Sequence, residues 1–335
     1  MLEYMVKPGK LPWSTMSSLL SLLPFTDPDL IVGPAQGEDA AVIRFRDGFL
    51  VAHVDPITTG VRRAGYLAVH VAGNDVAVRG VRPRWFMPTV LLPPQYSVRE
   101  IEELFRDMAS ALSEINGVVV GGHTEVTPGL ERPIIVMAVA GYTTGRVITT
   151  RDAREGDYVL VVGRIAGEGA GVIAWDFEDM LLRRGVPVDV VEKAKGFISE
   201  VSVVETALAI KNYVNTMHDA TEGGVLQAIR EVAIASGKDI IVEREKFTIE
   251  REVEEIAGSM GVDPLKLLSS GCIVATTPPG NLLRLLGKLE ELGVKHSIVG
   301  YVVEGSGRVI VESKSKGREV VDTDIIDEIY KLWSQ

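Results

Sequence analysis

The sequence predicts an α+β fold of two units, each a mixed sheet with its own helices. Three observations carry this prediction. The first half reads as strands with helices interleaved and closes near residue 148. The stretch RDAREGDYVLVVG, from residue 151, then opens a second unit with a buried strand that runs into a glycine-rich turn. The chain has 335 residues, 46% hydrophobic and 24% charged, enough for two cores of ordinary composition. The expected division is 1–148 and 149–335.

The elements follow in order. Residues 17–25, SSLLSLLPF, are too short to span a bilayer and read as a helical turn. Residues 37–55 read as two strands joined at Asp47-Gly48. A helix over about 63–79 stops at Gly80, with Pro83 beyond it. A strand over 85–94 precedes a helix that opens on Ser97-Val-Arg-Glu100, a capping box. That helix places Val98, Ile101, Phe105, Met108 and Leu112 on one face. Residues 117–122 and 132–145 supply two further strands.

In the second unit, 157–162 is the buried strand. A helix over 200–211 carries another box, Ser202 and Glu205. Next comes a helix that buries Val225, Leu226, Ile229, Val232 and Ala233. A strand over 239–247, a helix over 250–258 and a strand within LLSSGCIVATTPP follow. A helix over 281–292, strands over 296–305 and 307–313, and an acidic helix over 322–333 complete the pattern.

Charge and cysteine content narrow the function. The formal net charge of −11 argues against nucleic acid, whose phosphates require a basic face. It leaves nucleotides open, because carboxylate-held divalent metal can carry a phosphate into an acidic site. One cysteine, Cys272, excludes an intrachain disulfide framework and fits a reducing cytoplasm. No apolar run reaches transmembrane length, and the first residues lack a signal-peptide pattern.

Several polar residues stand where a packed core wants none. Asp75 shares a helix face with Ala64, Ala68 and Val71, so it needs a partner: an arginine such as Arg62 or Arg82, backbone amides, or a metal. Asn74 beside it adds a second polar group. An acidic pair, Glu38-Asp39, leads into a strand, and His53 and Asp55 alternate on the next, pointing to one face. Gly121 and Gly122, ahead of His123 and Glu125, leave the backbone open to close approach.

The stretch HDATEGGVLQAI, residues 218–229, is the most pointed. Asp219 or Thr221 is a natural N-cap, and Asp219 with Glu222 resembles a capping box. Capping does not account for His218 or for Gly223-Gly224, since glycine in the first turns weakens a helix by about 1 kcal/mol each. The glycines make sense if something lies against the helix terminus, and exposed amides there favour a phosphate. An aspartate beside that phosphate then calls for magnesium between them.

In order, GEDAAVI, a strand ending in Asp55, AGNDVAVRGVRP, a Gly-Gly strand end, HDATEGGVLQAIREVAIASG and LLSSGCIVAT resemble one family. It joins aminoimidazole ribonucleotide synthetase, selenophosphate synthetase, thiamine-monophosphate kinase and the HypE-type hydrogenase maturation proteins. HypE-type members carry a similar His-Asp-x-Thr-x-Gly-Gly run. The resemblance implies a two-domain PurM-like fold: an N-terminal sheet that dimerises into a β-barrel, and a C-terminal α/β sandwich. It implies ATP and magnesium as cofactors, with metal at Asp39, Asp75 and Asp219 and with Asp55 near the phosphates or metal. It places Asn74, Gly121, Gly122, His123, His218, Thr221, Gly223 and Gly224 around the nucleotide.

The implied activity is ATP-dependent activation of an amide or acid oxygen by phosphorylation. The alternatives are a non-catalytic nucleotide-binding partner in hydrogenase maturation and a thiamine-monophosphate-kinase-like enzyme acting on a small molecule. A third reading replaces the nucleotide with a transition metal held by His53, Asp55, His123, Glu125, His218 and Asp219. Expected partners are a small-molecule substrate, a second copy of the chain and a maturation protein, without nucleic acid or membrane. Two departures stand out. HypE proteins carry a carbamoyl group on a terminal cysteine, whereas this sequence closes on KLWSQ, with Cys272 in a buried strand. Kinase and HypE members have Asp where this chain has His123, and many relatives have Asp at Glu38.

Overall fold

The computed structural model describes residues 11–24, 27–58, 63–315 and 317–333. Arg62 and Phe25 lie outside the described residues. After α1 (Trp13–Leu20), which buries no side chain, come β1 (Leu30–Val32), β2 (Ala41–Phe45) and β3 (Gly48–Ile57). Helix α2 (Ala64–Val78), β4 (Trp85–Leu92), α3 (Val98–Ile115), β5 (Val118–Val119), β6 (His123–Val126) and β7 (Ile134–Thr143) follow. They form a mixed seven-stranded sheet in the order β1-β2-β3-β7-β4-β5, with β6 also on β4. Strand β4 runs antiparallel to β7 and parallel to β5 and β6.

Helix α2 is buried along all fifteen residues, enclosed by α3, β3, β7 and elements of the second sheet. An all-round buried helix is expected to be apolar, so its Asn74 and Asp75 demand partners. Helix α3 forms the expected Ser97–Glu100 capping box. Its buried stripe is Leu104, Met108, Ala111 and Ile115, whereas Val98 and Phe105 are exposed. The i, i+4, i+7, i+11 row of smaller side chains fits closer to α2 than the predicted face does.

The second sheet contains β8 (Tyr158–Gly163), β9 (Thr216–Asp219), β10 (Asp239–Glu243), β11 (Cys272–Thr277), β12 (His296–Val303), β13 (Val309–Ser313) and β14 (Gly317–Val321). Their order is β14-β13-β10-β12-β8-β11-β9, parallel only between β10 and β13. The associated helices are α4 (Gly167–Asp176), α5 (Glu178–Arg183), α6 (Val188–Lys195), α7 (Val204–Ile210), α8 (Gly224–Ser236), α9 (Arg251–Met260), α10 (Leu282–Glu291) and α11 (Tyr330–Trp333). Cys272 is fully buried on β11 and burial pushes its thiol well up, the small-apolar role expected of it.

Four expectations are corrected here. The glycine-rich stretch after β8 is helix α4, not a turn. A Cβ on Gly169 would come within 2.4 Å of Leu267, and one on Gly171 within 2.8 Å of Ile198, so these glycines admit neighbours rather than bend the chain. Helix α7 starts at Val204 without a Ser202 cap, because Glu205 is drawn to Arg82 at 2.6 Å. The acidic helix over 322–333 is reduced to α11; residues 322–329 form a non-helical strap instead. Neither Asp219 nor Thr221 caps α8, whose N-cap is Gly223 in the left-handed region. No helix among the described residues is long and apolar enough to cross a membrane.

Candidate functional site

A cleft of about 850 Å³ lies where the two sheets meet. The first sheet supplies Glu38 and Asp39 ahead of β2, His53 and Asp55 from β3, and Asp75 from α2. The second supplies His218 and Asp219 at the end of β9, Thr221 and Glu222 in the following turn, and Gln227 and Glu231 on α8. The strap residues Asp324–Asp327, Tyr330 of α11, and Leu11, Pro12 and Trp13 also line the cleft. No lysine or arginine is among the lining residues described.

Asp39, Asp55, Asp75 and Asp219 all face this cleft, but in two groups rather than one. Asp39, His218 and Asp219 form the first group, and His53, Asp55 and Asp75 the second; within each, the donor atoms lie within 4.8 Å of one another. The expected metal set of Asp39, Asp75 and Asp219 is therefore divided. Period-two alternation on β3 brings His53 and Asp55 to the same side, where His53 Nε2 lies 3.4 Å from Asp75 Oδ2. Asp75 thus meets a histidine and not Arg82, which pairs with Glu205.

The first group is an ion-pair network. Arg79, fully buried, sits 2.7 Å from Asp39 and 3.2 Å from Glu38, and donates to Thr150 Oγ1 at 2.7 Å. His218 pairs through Nδ1 with Asp39, and through Nε2 with Glu231 at 2.6 Å. Burial alone would lower the His218 imidazole, but Asp39 and Glu231 outweigh it and raise it to about 10. Gln227 Nε2 donates to Glu231 at 3.0 Å. Arg79 and Glu231 escape a sequence reading, although each carries a signal. Arg79 follows Asp75 by four residues on one helical face, as Glu231 follows Gln227.

The glycine pair at α8 has a different occupant from the expected phosphate. The Gly223 amide donates to Asp327 Oδ2 at 2.8 Å, so the chain's own carboxylate takes the helix terminus. Gly224 has φ +65°, and a Cβ there would come within 2.7 Å of the Leu265 and Leu267 carbonyl oxygens. The Asp327 carboxylate and the Leu265–Leu267 backbone thus lie against the terminus. Burial, first, and then Glu222 and Glu168 push Asp327 up to about 7, against opposing hydrogen bonds from Ile329 and Gly223.

Three further expectations fall outside the cleft. Asn74 does not face it: its Nδ2 donates to the Val201 carbonyl at 2.8 Å, and its Oδ1 accepts from the Val203 amide at 2.9 Å. Gly121, Gly122 and His123 lie on the exposed β5–β6 edge and do not line this chain's cleft. His123 instead pairs with Glu125 at 3.1 Å, so neither joins the histidines of the cleft.

Two domain descriptions match the chain. The N-terminal domain of AIR synthase related proteins matches residues 37–143, and the C-terminal domain matches residues 154–312. A Methanocaldococcus jannaschii protein provisionally named for hydrogenase expression and formation is 28% identical, over 90% of each chain. The structure of hydrogenase maturation protein HypE with ATP superposes with a TM-score of 0.68 at 22% identity, covering 94% of this chain and 95% of that one. That of AaThiL with AMPPCP and TMP gives 0.73 at 20% identity, covering 97% and 100%. These likenesses show the mixed two-sheet, two-domain PurM-like fold. The two domain matches together span most of the sequence, and the chain belongs to the family of AIR synthase related proteins.

Proposed function

We propose that the cleft binds ATP with magnesium and activates an oxygen of a small amide or acid by phosphorylation. The observation that carries this reading is the lining itself: acidic groups from both sheets, without a lysine or arginine among the described residues. A triphosphate enters such a cleft only together with divalent cations. The carboxylate groups at Asp39, Asp55, Asp75 and Asp219 are donors of the hard type that magnesium takes. A cation held there neutralises phosphate charge and orients the transferred group.

This chain's own residues supply the frame. Arg79 and His218 fix Asp39 in one orientation, so its carboxylate is set before a ligand arrives. The strap and Trp13 contribute to the walls of the cleft. The relatives are consistent with this reading, since a HypE and a ThiL have been seen with ATP and AMPPCP. The reading includes a domain boundary near residue 148. It also includes a homodimer formed through the first sheet, where Val118, Val119, Val120 and Val126 are exposed beside Gly121, Gly122 and His123.

Thermal stabilisation by a non-hydrolysable ATP analogue tests the nucleotide reading. Stabilisation is expected with magnesium, absent with chelator, and lost in Asp75→Ala while the circular dichroism of the variant stays native. Stabilisation that ignores chelator, or no stabilisation at all, overturns it. Val120→Lys is expected to yield monomers in sedimentation at micromolar protein; an unchanged mass refutes the dimer.

A further inference from the structure

We propose that a second cavity, at the C-terminal end of β8, binds the phosphate group of a small molecule through Arg164, Lys295 and Thr248. The cavity measures about 460 Å³ and opens where Gly163, Arg164 and Ile165 leave β8, between the start of β12 and the segment that leads into α9. That volume falls within the range of small-molecule sites. None of its lining residues belongs to the acidic cleft. Three observations lead to the proposal.

The first is charge. The chain carries −11, and the cleft shows no lysine or arginine among its described lining residues. This cavity has the opposite balance, with Arg164 and Lys295 against one carboxylate, Glu250. Glu250 Oε1 accepts from Arg164 Nε at 2.8 Å and also from Lys295 Nζ. A single carboxylate thus gathers two cations, and the surplus positive charge favours an anion.

The second observation is that Arg164 is set in advance. Its guanidinium lies over the Phe197 ring, 3.8 Å from the centroid, and its side chain is only 13% exposed. Nη1 donates to Glu200 at 2.5 Å, outside the cavity's lining. Nη2 has no hydrogen-bond partner among the described residues. A donor already ordered loses little freedom when a ligand arrives.

The third is the kind of donor that remains. Ser297 Oγ donates to Thr248 Oγ1 at 2.9 Å, which leaves the Thr248 hydroxyl hydrogen for a ligand. The Lys295 ammonium keeps N–H groups beyond the one on Glu250. A planar carboxylate is best met by a two-pronged guanidinium, and Arg164 already turns Nε and Nη1 to Glu250 and Glu200. Separate donors from a guanidinium, an ammonium and a hydroxyl suit the several oxygens of a phosphate instead. Val161, Ile165 and Val294 add apolar wall for whatever carries the phosphate. The competing explanation is a surface ion-pair network that binds nothing.

The test titrates the full-length protein with phenyl phosphate and, separately, with inorganic phosphate, by calorimetry. Chelator is present throughout, so that no divalent cation carries phosphate into the cleft. Saturable binding of one phosphate per chain is expected. Lys295→Met should weaken it by about tenfold or more, and Thr248→Val by about threefold. The Lys295 side chain is 60% exposed and Thr248 is exposed, so both variants are expected to fold. Lys288→Met, which removes a lysine outside the cavity, should leave the affinity unchanged. Tighter binding of phenyl phosphate assigns the ligand as an organic phosphate, and equal binding assigns it as the free ion. Absence of saturable binding, an affinity unchanged in both cavity variants, or equal competition by acetate overturns the proposal.

Discussion

At the scale of single residues, the cleft is set by a buried cation. Arg79 is fully buried and holds Glu38 and Asp39. Replacing one partner of such a cluster leaves charges without compensation, which costs more than the pair itself contributes. Arg79→Met is therefore expected to lower unfolding free energy by about 3 to 5 kcal/mol in urea titration. A loss near zero would mean that Asp39 and Glu38 find other partners. Away from the cleft, Asp239 gives a second residue-scale expectation. Burial raises its carboxyl, but Arg308, with the Ser306 and Arg308 amides, outweighs burial and lowers it from 3.8 to about 2. The folded state thus releases this proton more readily than the unfolded chain. Its contribution, about 2 kcal/mol, is present above pH 3.8 and lost as pH falls through 2. Asp239→Asn should flatten the acid limb of the stability curve by that amount. The carboxylates and histidines were legible as candidates because charged residues on apolar faces stand out. Their grouping was not, since it depends on which strand neighbours which helix.

Elements were legible where local chemistry decides them, as in the Ser97–Glu100 box of α3 and the turn between β2 and β3. They were not legible where tertiary contacts decide. Glycines that read as a turn after β8 are packing surfaces of α4. The acidic run that read as a helix is a strap, because its polar groups find partners on α8. Arg230 donates to Asp324 at 2.5 Å, Gln227 accepts from the Ile325 amide at 2.9 Å, and Asp327 accepts from the Gly223 amide. The strap carries its own pH dependence. Asp327 is raised to about 7 from 3.8, so the folded state keeps this proton where the unfolded chain has lost it. Stability from this group is full below pH 3.8 and declines as pH rises towards 7, the reverse of Asp239. Protection of the strap from limited proteolysis should fall across that interval and level off above it. Asp327→Asn, neutral throughout, should remove the slope; a slope that persists would place its origin elsewhere.

At the scale of the whole molecule, the cleft exists only if the two sheets keep a fixed relation, because each supplies half of its groups. Asn74 is the central fastening. It projects from α2 of the first sheet and accepts and donates at the backbone leading into α7 of the second, with every partner buried. Arg82 with Glu205, and Lys211 with the Gly80 carbonyl at 3.0 Å, extend the same seam. An interface this polar would permit relative motion if its hydrogen bonds were exposed, but buried partners left unpaired are costly, so the seam resists opening. Asn74→Ala strands the Val201 carbonyl and the Val203 amide, at a cost of about 2 to 4 kcal/mol. The consequence should reach beyond stability. If Asn74 were a nucleotide contact, the variant would lose affinity while unfolding as one unit. If it fastens the sheets, calorimetry should show the single transition broaden or divide. Nucleotide and magnesium should then recover part of the lost stability by bridging the halves from inside the cleft. A variant that unfolds as sharply as the parent, with only its nucleotide affinity reduced, would return Asn74 to the cofactor and leave the seam to its ion pairs.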